Sequence, residues 1–325
     1  MDFKNNFNVK KVVLCLLGVM LVSYGIAALT FFSFGNFSFT TNDKLGGHGL
    51  FQLAGNSYNY HASKSMDLDG IDEISIDFYS GDIKFNNEGT NSIKVKVDGE
   101  ITASNAYTEP ELKCYKEGKT LYVELTKKHM GFFLNYSSDI VANISLPTSY
   151  KNSLKVVSSA GDVNINGYEL KNLDCKLSAG KLQMKNVSAT TFTYKNSAGN
   201  LNADNLKTRS SNLRASAGKI QITKFTGDIE GSNSAGNTEI QYDKFNNNVD
   251  FSASAGRIKL TLPKASAFKL DAEASAGSIK SDFSSINING EFGEKTAKGE
   301  VGKSNNMIQL KDSAGSIEIN NIKSN

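Results

Sequence analysis

Lys176, Lys195 and Arg214 follow one another at intervals of 19 residues, and Lys181 and Lys219 each lie five residues beyond a member of that series. Cations repeated at a fixed interval form a stripe if the chain returns to the same place once per interval. Stacked about 4.8 Å apart they repel, so a counter-charge such as Asp174 or an anionic ligand would relieve them. The chemistry to expect is contact with an anionic wall polymer or lipid; the plainer alternative is a solvated basic face. A second recurrent set is a serine two residues before a glycine: Ser159, Ser178, Ser197, Ser216, Ser234, Ser254, Ser275 and Ser313. Turn chemistry, hydroxyl to neighbouring backbone, is expected of them, and a glycan-contacting ridge is the sharper reading.

Reactive constellations are scarce. His48, His61 and His129 share no metal-ligand spacing, and the repeated serines have no nearby histidine to serve as base. Neither a phosphate-binding loop nor a dinucleotide fingerprint occurs, and calcium-binding nonapeptides do not recur. Asp162, Asp174, Asp250 and Asp271 could serve a polysaccharide-cleaving β-helix, but they are dispersed among repeats without long groove-forming insertions. No catalytic, cofactor-binding or metal-binding residue is assigned, no cofactor is implied, and a non-enzymatic protein is expected. Cys15 falls in an apolar run, whereas Cys114 and Cys175 alternate with apolar residues and read as buried free thiols. A disulfide between the latter two is the alternative that export would permit.

The elements that must position these residues are written in a repeat. Ser-Ala-Gly occurs eight times, with glycines at Gly161, Gly180, Gly199, Gly218, Gly236, Gly256, Gly277 and Gly315. Around each, apolar residues alternate with polar ones, as in Leu154 and Val156 before Gly161, then Val163 and Ile165 after it. Period two means half-buried strands. Inward positions are odd before the glycine (−7, −5, −3, −1) and even after it (+2, +4), so the chain must bend there. Glycine suits a bend because it lacks the Cβ that penalises positive φ. The alanine at −1 is expected to fit inside the corner. Strand, corner, strand and return in about 19 residues predicts an all-β, parallel β-solenoid whose coils each lie on their predecessor. Ile74, Ile76 and Phe78 before Gly81, with Ile83 and Phe85 after it, add an earlier copy. Leu146-Pro147 and Leu262-Pro263 each stand 14 residues before a motif glycine, which suggests a duplicated unit.

Composition bounds the rest. With 325 residues, 39% hydrophobic and 21% charged, the chain can build a core, which excludes wholesale disorder. A formal charge of +3 is far below the basic excess of most nucleic-acid binders, so no nucleic-acid partner is expected. From Val12 to Phe34 no charge occurs; a helix of that length reaches roughly 34 Å, enough to cross a bilayer. Lys4, Lys10 and Lys11 against Asp2 hold the N-terminus in the cytoplasm and send the rest outside. A cleaved signal peptide, cut near Gly25–Ala28, competes with that reading; the long span and its aromatic outer end favour a retained anchor. The predicted organisation is a cytoplasmic tail (1–11), a transmembrane helix (12–34), a membrane-proximal stalk (35–69), a β-rich entry layer (70–150) and the solenoid (151–325). Within the last, a motif is missing near residue 296, and 286–306 reads as a polar excursion.

Phe78-Tyr79-Ser80-Gly81-Asp82-Ile83, the Ser-Ala-Gly-x-apolar-x-apolar rungs and the Leu-Pro steps together resemble a bacterial family of membrane-anchored candidate adhesins of unknown function, over roughly residues 70–322. The resemblance implies a β-strand repeat domain at the cell surface, in some relatives beside envelope-stress signalling systems. It defines no functional residues. The expected function is a non-enzymatic, adhesin-like or scaffolding module displayed by its membrane anchor, meeting a cell-envelope polymer or a membrane protein. A regulatory partner of an envelope-stress system is the alternative, and a polysaccharide-active β-helix enzyme the third.

Overall fold

The computed structural model describes residues 56–88, 91–103, 109–127, 136–290 and 293–322. The expected tail (1–11), transmembrane span (12–34) and the stalk as far as residue 55 lie outside the described residues. Among the described residues, no helix is long and apolar enough to cross a membrane.

Extended chain dominates, as the period-two patterning requires. Seven strands make the entry region: β1 (Asn56–Asp67), β2 (Glu73–Phe78), β3 (Asp82–Asn86), β4 (Ser92–Ala103), β5 (Glu111–Glu117), β6 (Thr120–Thr126) and β7 (Tyr136–Ser145). The repeats follow as β8 (Ser153–Ser158), β9 (Val163–Asn166), β10 (Glu169–Ala217), β11 (Ile220–Tyr242), β12 (Val249–Leu262) and β13 (Phe268–Ser281). Last come β14 (Ile286–Asn289), β15 (Lys295–Val301) and β16 (Met307–Asn321). The 49 residues of β10 stay extended through successive corners, so one strand spans more than two rungs.

All sixteen strands join one sheet, and each rung contributes to two strips of it. Residues before the motif glycine pair in one strip, where Leu121, Ile74, Leu154 and Leu173 are successive partners. Residues after it pair in the other, where Ala142, Ile83, Val163 and Leu182 align. The pairing between rungs is parallel, and Leu201 lies against Ile220 at the 19-residue offset read from the sequence. Identical inward positions therefore stack: Leu173, Cys175 and Leu177 before Gly180, and Leu182 and Met184 after it, are all buried. A second bend, six residues past the glycine, carries Gly167, Asn186, Asn205 and Lys224 at φ of 73°, 54°, 57° and 52°. Asparagine tolerates this left-handed region better than most side chains, and Asn205 Nδ2 donates to Asn186 Oδ1 at 2.8 Å along the stack. Beyond that bend Tyr168, Val187, Leu206 and Phe225 turn inward again and are buried.

The order of the rungs departs from the expectation that each lies on its predecessor. β16 pairs in parallel with β12 on one side and with β13 on the other. In space, therefore, Gly315 stands between Gly256 and Gly277. The missing motif near residue 296 is no vacant rung, because the chain passes β13, turns back and seats its last rung in the gap before it. The stretch 286–306, expected to be a polar excursion, supplies β14 and β15. β15 runs antiparallel to β13 and buries Ala297, so it ends the parallel stack instead of extending it. At the opposite end, antiparallel β1, β4 and β7 and the β5–β6 hairpin flank the first rung, β2–β3. β1 corrects the expected stalk at its distal end, since residues 56–67 pair along their whole length with β4.

Candidate functional site

The corner glycines set the geometry of everything exposed near them. A Cβ on Gly161 would meet the Gly81 carbonyl oxygen at 2.2 Å, and one on Gly218 would meet that of Gly199 at 1.8 Å. The same contact recurs for Gly180, Gly199, Gly236, Gly256, Gly277 and Gly315, at 1.9–2.2 Å. From Gly81 to Gly256 the seven corner glycines also have φ between 103° and 151°. Glycine is thus required twice over, by the close approach of backbone to backbone and by the conformation.

The alanines correct the parity reading. All eight motif alanines, Ala160 to Ala314, are exposed, as are the serines before them. Inward positions end at −3, so the corner comprises −2 to +1 and both residues ahead of the glycine swing out to solvent. None of the eight serine hydroxyls bonds backbone among the described residues, so the expected turn chemistry is not what they do. Other side chains do that work. Buried Asn233 donates from Nδ2 to Gly218 O at 3.1 Å, and Asp312 Oδ1 accepts from the Ala314 N–H at 3.2 Å, both from −3 beneath the ridge. At +1, Asp82 Oδ1 accepts from the Asp162 N–H at 2.9 Å, Asp162 from Lys181 at 2.8 Å and Asn200 from Lys219 at 2.8 Å. Asp162, a carboxylate considered for catalysis, therefore tethers the next rung.

Parallel register brings Lys176, Lys195 and Arg214 together on the face before the glycine. They line one groove of about 290 Å³ with Ser197, Ser216 and Ser234 opposite. The groove runs along the stack because rows at −4 and −2 share a face and lie about 7 Å apart along each strand. Only Arg214 of the three has an ion pair among the described residues, with Glu230 Oε1 at 3.5 Å; Asp174 does not pair with Lys176. Asp77, in the same column as Lys176, has its pKa raised by burial and then by Glu124, against the pull of Lys155 and Lys176. Lys181 and Lys219 do not join this groove. They stand across the Ser-Ala ridge, where Lys219 Nζ meets Glu239 Oε2 at 3.1 Å.

The remaining candidates are scattered. His61 Nδ1 lies 2.9 Å from Asp98 Oδ1 on the exposed face of β1 and β4, and the His61 hydrogen bond, then that of Lys96, holds the Asp98 carboxyl below its usual range. His48 and His129 lie outside the described residues. Asp271 pairs with Lys298 at 3.2 Å. Cys114 and Cys175 are both free, which corrects the disulfide alternative. Four strand steps separate them, through Val123, Ile76 and Val156, a span of roughly 19 Å that no disulfide bridges. Burial raises the pKa of both thiols. Among the described residues, no group of three or more His, Cys, Asp or Glu could hold a metal ion.

The rung pattern that places these side chains is matched from residue 71 to residue 320 by the family model described as Toastrack DUF4097. This chain belongs to the Toastrack DUF4097 family. The function of that family is unknown. Among solved structures, the Toastrack chain is similar to a candidate adhesin of Bacteroides fragilis, at 11% identity over 81% of this chain and 97% of that one, with a TM-score of 0.46. A candidate cell adhesion protein of Clostridium sporogenes is 15% identical over 82% of this chain and 100% of its own, with a TM-score of 0.30. A candidate lipid binding protein of Parabacteroides distasonis is 12% identical over 81% and 97%, with a TM-score of 0.34. No curated protein matches the chain.

Proposed function

We propose that this Toastrack protein is a membrane-tethered, adhesin-like module whose rigid β-solenoid contacts anionic cell-envelope polymer. The observation that supports this reading most directly is the groove shared by Lys176, Lys195 and Arg214, in which two of three cations lack an ion pair among the described residues. A polyanion with one charge per few ångströms can meet successive rungs in turn. Each exposed contact is worth about 0–1 kcal/mol, and several on one rigid ladder add into useful avidity. The interaction is screened by salt over about 8–10 Å, so it operates at contact and not by long-range steering. In this reading the apolar segment 12–34 is a single-pass anchor that leaves the N-terminus in the cytoplasm and the strands outside.

The test replaces Lys176, Lys195 and Arg214 with Gln in the full chain and measures binding to purified polyglycerol phosphate across a salt series. Wild-type binding should weaken as salt rises, and the triple variant should bind about tenfold or more weakly with a flatter salt dependence. Equal affinity and equal salt dependence for the two proteins would reject the groove as the contact site.

A further inference from the structure

A groove larger than the cationic one lies on the other strip and carries different chemistry. Its walls are two rows on one face: Asn164, Gln183, Asn202 and Gln221 at +3, and Asn166, Lys185, Asp204 and Thr223 at +5, enclosing about 500 Å³. The floor is the backbone of the intervening +4 residues. None of the four +3 carboxamides forms a hydrogen bond with the protein among the described residues, although all are partly buried. That sets them apart from the neighbouring amides, since Asn200 holds the Lys219 N–H and Asn205 holds Asn186. The row is charge-free for four rungs and bounded by charge, with Lys84 on one side and Glu239 then Lys259 on the other. On the opposite wall the lining charges are one of each sign, Lys185 and Asp204, and Asp204 is already engaged, accepting from Thr223 Oγ1 at 2.9 Å and pairing with Lys224 Nζ at 3.6 Å.

We propose that this carboxamide-walled groove binds an uncharged linear glycan lying along the stack. Each carboxamide offers two N–H donors and an acceptor oxygen in one plane, which suits the mixed donor and acceptor character of vicinal hydroxyls and acetamido groups. Recurrence every 4.8 Å or so presents that pair of functions repeatedly to a repeating polyol. The competing occupants fit worse. An extended peptide has a rise of about 3.3 Å per residue and binds sheets by adding to an open edge, whereas these rungs are paired on both sides. Lipid needs an apolar floor, and a polyanion needs net positive charge. The groove does not depend on the cationic one, which lies on the other strip.

The test is calorimetric titration of the full chain in detergent with N-acetylated chitohexaose and, in parallel, cellohexaose; the first arm reports use of acetamido groups, the second hydroxyls alone. We expect binding of at least one hexamer, insensitive to salt, and weakened about tenfold or more in Gln183→Ala/Asn202→Ala. Gln183→Glu/Asn202→Asp keeps the side-chain volume and removes the N–H donors, so the same loss there at an unchanged melting temperature assigns it to the donors and not to misfolding. The Lys176, Lys195 and Arg214 to Gln variant should bind the hexamers as the wild type does. Failure of both hexamers to bind, retention of affinity in the carboxamide variants, or loss in the cation variant would overturn the assignment.

Discussion

Ala217 and Ala215 stand two residues apart on one rung, yet the first faces solvent and the second is only 6% exposed. Ala217→Glu should change stability by no more than about 0.5 kcal/mol, whereas Ala215→Glu, which buries an unpaired charge, should cost about 3 kcal/mol or more. Denaturant melts of the two variants check the pair, and similar midpoints would contradict the corner as described. Asp312 offers a second residue-level test, because its Oδ2 is buried without a partner and burial raises its pKa, against bonds from the Ala314 and Ser316 backbone. A raised folded value means that full stability is present below the ordinary carboxylate pKa and is lost as pH rises through the folded one. Asp312→Asn should therefore raise the melting temperature at neutral pH, with the advantage vanishing in acid. At this scale the sequence was a good guide where a side chain is strongly apolar, as at Leu173 or Phe251. It misled at the alanines, because a methyl group is small enough for either side of the sheet and carries little burial signal.

The coil as an element was legible because its two markers are local: alternation at period two and a glycine where alternation changes phase. The second bend was harder to see. Gly167, Asn186, Asn205 and Lys224 adopt the same left-handed conformation with three residue types among four positions, so no single residue marks the bend as glycine marks the corner. Least visible was the seating of β16. Every rung carries the same inward columns, so the pattern that makes rungs stackable also makes them interchangeable, and nothing local specifies which neighbour a rung will choose. Hydrogen exchange distinguishes the arrangements. Backbone amides of β16 lie between β12 and β13 and should exchange only through global opening, despite their place late in the chain. Those of β14, paired on one side with β15, should exchange much sooner. Rapid exchange throughout β16 would contradict its interior position.

For the molecule as a whole, the sheet faces divide the labour: a ridge of exposed Ser-Ala pairs separates the cationic groove from the carboxamide one. The stripe of Lys176, Lys195 and Arg214 was legible from spacing alone, since register converts a 19-residue interval into adjacency. The carboxamide wall is not legible in the sequence because Asn and Gln are common in turns, and only the structure separates those engaged by backbone from those left open. Stability should also divide along the stack, as it does in repeat proteins whose rungs interact with nearest neighbours. Ending the chain after Lys303 removes β16, and should leave β8 to β12 protected from protease while β13 to β15 become susceptible. Loss of all the rungs at once would show instead that the array folds as one cooperative unit. The inserted rung finally separates the order of synthesis from the order of assembly. β13 emerges from the ribosome before the strand that belongs beneath it, so it must either wait undocked or settle on β12 and later be pried away. Translation of the final rung is then the event that commits the far end of the molecule to its finished shape.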